Sequence, residues 1–338
     1  SKILPLFTLV HGVSASNNSY WPEIYENMST VEKAPHLPYS YDLHKPSRFG
    51  MATSQDPQLI MSPIDLANCI YKKNTINRYS PLTMANWFNE YGNKSIKYLL
   101  KSRKIIKNDN EPNFKRLEID IRILSSLGKF FSYKIKSSCY WEIFLKEKKY
   151  KLGLNALRLY KKSYNSWKIT AKLSKKYYLK DLTYGPQSWL RGRWDDRLPL
   201  IKNDIIKMEN ILNTNKLKNY NFSFINKVDK WKNNQKFLIS HKLNIHKKGP
   251  IEIIFEYKKK YHKKLFLNYR RVNQSERWKK QKIKLNENRF IGKISRKYFK
   301  SEYPIQYYFE FIDNNISSFC PGINRNLSNQ PYYVFNNN

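Results

Sequence analysis

The chain has 338 residues, 41% of them apolar and 15% aromatic, with 63 Lys and Arg against 26 Asp and Glu for a formal net charge of +37. Such a length allows roughly one to three domains and a sizeable core, and so much apolar and aromatic character excludes a disordered polymer. No apolar run approaches the length that spans a bilayer, so no transmembrane segment is expected.

The charge has two readings. It points to nucleic acid or another polyanion. The excess, however, is mostly Lys, spread along the whole chain, with abundant Asn. Lys, Asn, Ile and Tyr rise together under AT-rich coding, and a spread charge is a weaker polyanion signal than a clustered patch.

Residues 1–60 read as an irregular segment. "SKILPLFTLV" is apolar after Lys2 but is interrupted by Pro5 and lacks a signal-peptide cleavage site. "YWPEIY" and "PHLPYSYDLHKP" hold more aromatics than a flexible linker carries, so the segment reads as ordered loop, the end of a domain that begins upstream. Tyr20 and Trp21 are candidate glycan-contacting residues. Glu23 between these aromatics is a weak candidate acid, with Asp42 or Asp56 as partner. A loop carboxylate with no catalytic task is the plainer reading.

An α-helical bundle is expected over 61–216. Ser62 and Ser80 each precede a Pro at a first helical position, and Asp65 adds an acid to the first turn. A helix follows from about 81 to 104, and another from about 112 to 147. The second carries Phe114, Leu117, Ile121, Leu124, Gly128, Phe131 and Ile135 at three-four spacing, which predicts a central position. A helix over about 150–177 places Leu154, Leu157, Tyr160, Tyr164 and Trp167 on one face. Cys69 and Cys139 fall on apolar helical faces and read as buried free thiols.

"YGPQSWLRGRWDDRLPLIKNDI" then leads into a stripe of Leu198, Ile201, Ile205, Met208 and Leu212. Two readings stay open. In one, Asp195 and Asp196 cap a helix start, Pro199 sits in its first turn, and Arg191, Arg193 and Arg197 pair with nearby carboxylates. In the other, Trp189, Arg191, Arg193 and Trp194 face a ligand, the rings stacking on a sugar or base and the charges binding hydroxyls.

Residues 214–235, rich in Asn and Lys, read as a boundary. Beyond it the period changes from 3.6 to 2. "IEIIFEYK", "KLFLNYR", "QKIKL", "RFIGKI", "IQYYFEFI" and "YYVF" alternate and are separated by turn signals. The fold class expected is therefore α+β multidomain: a helical bundle followed, over 235–335, by an antiparallel β-sandwich of immunoglobulin or fibronectin type. "YKKKYHKKLFLNYRR" interleaves aromatics and cations as a single-strand binder would, but alternation also gives an ordinary half-buried strand.

Cofactor and metal signals are missing. Cys69, Cys139 and Cys320 form no CxxC, and no His lies in HExxH spacing. His241 and His246 read as surface residues of a strand. "HGVSAS" has no GxSxG elbow.

"YRRVNQSERW", "YPIQYYFEFIDNN" and "PGINRNLSNQPYYV" resemble the terminal β-sandwich of large bacterial carbohydrate-active proteins. "SPLTMANWFNE", "IDIRILSSLGKFFSYKI" and "DLTYGPQSWLRGRWDDRLPLIKNDI" resemble the helical region before that sandwich in glycoside-hydrolase-like chains, and "YWPEIYENM" and "PHLPYS" the segment before that. The resemblance runs from about 20 to 335. It implies the C-terminal part of such a protein, with the catalytic domain mostly upstream, a secreted or periplasmic location, and a glycan or that domain as partner. It transfers no catalytic residue. The rival class is a basic RNA-associated scaffold or organellar complex subunit, whose binding would fall steeply with salt.

Overall fold

The computed structural model describes residues 2–11, 28–33, 47–106, 110–183, 191–214, 233, 241–245, 249–256, 264–273, 275–283, 285–286, 289–299, 301–324 and 327–336. They form two compact units. One holds Ser1–Asn74 and Arg78–Lys232, the other Thr75–Asn77 and Asn233–Asn338.

The first unit is helical. Its helices are α1 (Ile3–Val10), α2 (Pro63–Tyr71), α3 (Pro81–Ile105), α4 (Pro112–Glu147), α5 (Tyr150–Tyr177) and α6 (Leu198–Thr214). The starts follow from capping chemistry. Ser62 Oγ accepts from Asp65 N at 3.2 Å while Asp65 Oδ2 accepts from Ser62 N at 3.3 Å, a reciprocal capping box. Ser80 Oγ accepts from Leu82 N ahead of Pro81, and Glu111 Oε2 accepts from Phe114 N at 2.7 Å ahead of Pro112. The Glu111 carboxyl is held below its ordinary range, first by the Phe114 amide and then by the Asn113 amide.

Helix α4 is central, as its spacing predicts. It is lined by serines that let neighbouring backbones approach. Ser125 Oγ donates to the Gly92 carbonyl at 2.7 Å and Ser132 Oγ to that of Ala85 at 2.6 Å, which ties α4 to α3. Ser126 Oγ donates to the Ser166 carbonyl at 2.6 Å and Ser137 Oγ to that of Ala156 at 2.7 Å, which ties α4 to α5. As the position along α4 rises, the partner positions fall, so both neighbours run antiparallel to it. Phe130, Phe131, Trp141, Phe144 and Trp167 fill the interior. The stripe expectation fails at two positions. Leu117 and Leu154, both near the starts of their helices, are exposed, at 56% and 41%, because the packed face there is narrower than the periodicity implies. Cys139 is buried, and burial raises its thiol pKa; Cys69 is only half-buried.

The second unit is antiparallel β. Strands β3 (His241–Ile245), β4 (Ile251–Glu256), β8 (Arg289–Ile294) and β7 (Leu285–Asn286) form one sheet in that order. The other sheet runs β10 (Ile316–Cys320), β9 (Ile305–Asp313), β5 (Lys264–Arg271) and β6 (Lys279–Lys282), and β11 (Tyr333–Phe335) pairs with the first residues of β9. Leu267 lies opposite Phe309 in the β5–β9 ladder, and Ile253 opposite Gly292 in the β4–β8 ladder. A shared core of Ile251, Ile253, Leu265, Leu267, Phe309 and Phe311 joins the two sheets. Ile76 belongs to this unit and forms a parallel bridge to Ile316.

Candidate functional site

Tyr20, Trp21, Glu23, Asp42, Trp189 and His246 lie outside the described residues. Asp56 caps a local turn, accepting from the Gln58 and Leu59 amides, while Arg191, Arg193 and Trp194 gather at a short ribbon, β1 (Leu182–Thr183) paired with β2 (Arg191–Gly192). Here both readings of the Arg- and Trp-rich stretch meet their geometry.

Arg191 is exposed and holds Asp181 in a two-pronged pair, Nη2 to Oδ2 at 2.6 Å and Nε to Oδ1 at 3.2 Å. Arg193 pairs with Asp195 at 2.9 Å. Asp196 Oδ2 accepts from the Arg193 amide at 2.6 Å. A 3₁₀ turn over Trp194–Arg197 then runs into α6, with Pro199 in its first turn, where a missing N–H has no helical partner. The Asp pair therefore closes the approach to a helix, one turn earlier than a simple N-cap would. Gly192 makes this possible: its φ is +124°, and a Cβ there would stand 2.6 Å from Asp196 Oδ2.

Trp194, expected to face a ligand, is buried in the structure. The residue keeps 8% exposure, its ring meets Tyr178 edge-on at 5.3 Å, and its carbonyl accepts from Trp167 Nε1 at 2.7 Å. An indole body gains more from this apolar pocket than from solvent, so Trp194 anchors the ribbon to α5.

A second cluster was not singled out from the sequence. Lys134 on α4 has no solvent exposure. Its Nζ donates to the Met28 carbonyl at 3.0 Å and lies 4.7 Å from the Phe49 ring centroid, with the rings of Phe130 and Tyr160 further out. Glu142, two turns along α4, is gripped by Arg48 through Nε and Nη2, each at 2.6 Å. Asp204 on α6 accepts from Ser29 Oγ at 2.5 Å, Thr30 N at 2.7 Å and Tyr160 Oη at 3.1 Å. His11 is buried and stacks on Phe7 and Phe49. Gly50 passes so close to α4 that a Cβ would stand 2.6 Å from Glu142 Oε1.

The hydrogen bonds just named for Lys134, Glu142 and Asp204 reach Met28, Ser29, Thr30, Arg48 and Tyr160. The cluster is thus a clamp on residues 28–30 and Arg48, built from buried charges that are costly to desolvate unless fully partnered. Its sequence signal is a charge inside an apolar stripe: Lys134 between Tyr133 and Ile135, Glu142 between Trp141 and Ile143, and Asp204 one turn from Ile201 and beside Ile205.

In the β unit, His241 is half-buried rather than a plain surface residue: its Nε2 lies 2.6 Å from Tyr307 Oη, and its ring is edge-on to Tyr333. Burial raises the pKa of both tyrosines. No group of His, Cys, Asp and Glu suited to hold a metal ion occurs among the described residues.

No protein-family model matches the chain, and no curated protein matches it. Among solved structures it is similar to a GH138 enzyme targeting pectin rhamnogalacturonan II, at 18% identity with a TM-score of 0.44. That match covers 58% of this chain and 30% of the enzyme's chain, so the chain spans less than a third of that protein's length.

Proposed function

We propose that the chain is an ancillary C-terminal region of a carbohydrate-active, glycoside-hydrolase-like protein. Its bundle supports a catalytic domain carried mostly upstream, and its loops contact glycan. One observation supports the buttress role: Lys134, Glu142 and Asp204, three buried charges on two helices, engage Met28, Ser29, Thr30 and Arg48. A bundle that holds the chain preceding its first long helices by both backbone and side-chain groups suits a buttress.

The glycan-contacting surface in this reading comprises Tyr20, Trp21, Trp189, Arg191 and Arg193, with Trp194 as its anchor. The exposed Arg191–Asp181 pair at the ribbon supports it, because such a pair offers donors and acceptors together to sugar hydroxyls. The sandwich is of immunoglobulin or fibronectin type on this reading, and the protein is secreted or periplasmic.

The charge of +37 favours a second reading, a basic scaffold for RNA or an organellar assembly. Tryptophan fluorescence of the full chain, titrated with neutral oligosaccharides and with a short RNA at low and high salt, separates the two. A glycan response that survives salt and is lost in Trp189→Ala supports the first reading. An RNA response that falls by orders of magnitude as salt rises moves the protein to the second. Silence toward every glycan rejects the glycan-contacting surface.

A further inference from the structure

One end of the bundle exposes aliphatic side chains among lysines. Two contacts define that end. Arg103, near the end of α3, pairs with Glu118 near the start of α4 at 3.4 Å. Tyr178, just past α5, donates to Asp120 on α4. The C-termini of α3 and α5 therefore flank the first turns of α4. Ile105 there is 82% exposed and Leu179 77%, joined by Leu117, Leu100, Tyr98 and Tyr177.

The same end is rich in cations. Lys101, Lys104, Lys115, Lys175, Lys176 and Lys180 are all exposed. Lys101 and Lys176 lie over the rings of Tyr98 and Tyr177. The nearby acids are engaged locally: Glu118 by Arg103 and Arg122, Asp120 by Tyr178, Asp181 by Arg191, and Glu111 by the Phe114 amide.

Lysines in a last helical turn also complement the helix dipole. That accounts for Lys104, Lys175 and Lys176 but not for bare Ile105 and Leu179 beside them. Large apolar groups exposed together, rimmed by charge, mark an interaction surface. Cations alone would suit a nucleic-acid backbone, to which aliphatic groups add nothing. Aliphatics, tyrosines and lysines together match the boundary layer of a lipid bilayer. There acyl chains take the aliphatics, ring hydroxyls sit at headgroup level, and anionic headgroups take the ammoniums.

We infer that this end of the bundle, centred on Ile105, Leu117 and Leu179, docks peripherally on an anionic lipid surface. No helix among the described residues is long and apolar enough to cross a membrane, so the contact is interfacial. The inference stands independently of the carbohydrate reading.

Co-sedimentation tests it, using the full chain with vesicles of phosphatidylglycerol and phosphatidylcholine and with vesicles of phosphatidylcholine alone. The chain is expected to sediment with the first and stay in solution with the second. Ile105→Ser with Leu179→Ser is expected to weaken partitioning at least about tenfold, from the aliphatic area no longer buried. Lys104→Ala and Lys176→Ala are each expected to weaken it about fivefold. All four positions are exposed, and circular dichroism confirms that each variant keeps its helices. Three results overturn the inference: no sedimentation with the anionic vesicles, equal sedimentation with both kinds, or undiminished binding by the double serine variant. The last result, with a short RNA competing the vesicles away, would assign the surface to polyanions.

Discussion

Arg48 and Glu142 stand 94 positions apart in the chain and meet through two hydrogen bonds of 2.6 Å, inside the helical unit. Removing one partner leaves a buried charge with no counter-ion, whereas an exposed pair such as Lys161–Glu209 is screened by water. Glu142→Ala is expected to lower stability by about 3–5 kcal/mol in urea melts, and Lys161→Ala by less than about 1 kcal/mol. The Arg48→Ala, Glu142→Ala double variant should lose less than the sum of its single changes. Full additivity would mean that the two groups do not act as a pair.

Asp204 joins α6 to Ser29, Thr30 and Tyr160 at once. Asp204→Asn keeps the shape but removes the charge and leaves one acceptor oxygen for the three donors that now share two. Hydrogen exchange at Thr30 should accelerate by at least tenfold, about 1.4 kcal/mol, with smaller changes at the core of α4. Uniform acceleration throughout the helical unit would argue against a local clamp.

Gly192 is the residue the ribbon depends on. Its φ of +124° and the nearness of Asp196 leave no room for a methyl group. Gly192→Ala should cost roughly 1–3 kcal/mol. It should also release Asp196 from the Arg193 amide, seen as a chemical-shift change at that amide. An unshifted Arg193 amide would show that the carboxylate contact is not what the glycine serves.

Tyr178 supplies a pH dependence. Burial, and then its hydrogen bond to Asp120, pushes its phenol from 10.0 up to about 12. The folded form thus holds the phenolic proton more tightly than the unfolded form. The stability this contributes is complete below pH 10 and is lost as pH rises through about 12. Ultraviolet titration should show one late-ionising tyrosinate in this window that is missing from Tyr178→Phe. The variant should lose less stability than the parent across the same window.

The layout was legible because period and punctuation are local properties. Ser62-Pro63 and Ser80-Pro81 announce their helices, and alternation at Ile251, Ile253 and Phe255 announces β4. The clamp was not legible, because its meaning lies in long-range pairs. Nothing local joins Arg48 to Glu142 or Ser29 to Asp204. The burial of Trp194 was not legible either, because its ring partner Tyr178 and the indole that donates to its carbonyl, Trp167, stand 16 and 27 positions earlier in the chain. Leu117 and Leu154 show the converse, since a stripe fixes direction around a helix but not how far along it a neighbour extends.

Thr75–Asn77 belongs with the β unit although more than 150 residues of helical unit follow it in the chain. Ile76 N donates to the Asn315 carbonyl at 2.9 Å, and Ser317 N donates to the Ile76 carbonyl at 2.9 Å. The β unit is therefore not a module that a gene truncation can lift out intact. A fragment beginning at Asn233 would keep every strand from β3 to β11 yet lack the tripeptide that completes the edge at β10. That edge would be left with an unanswered donor and acceptor, the condition under which sheets recruit a second copy of themselves.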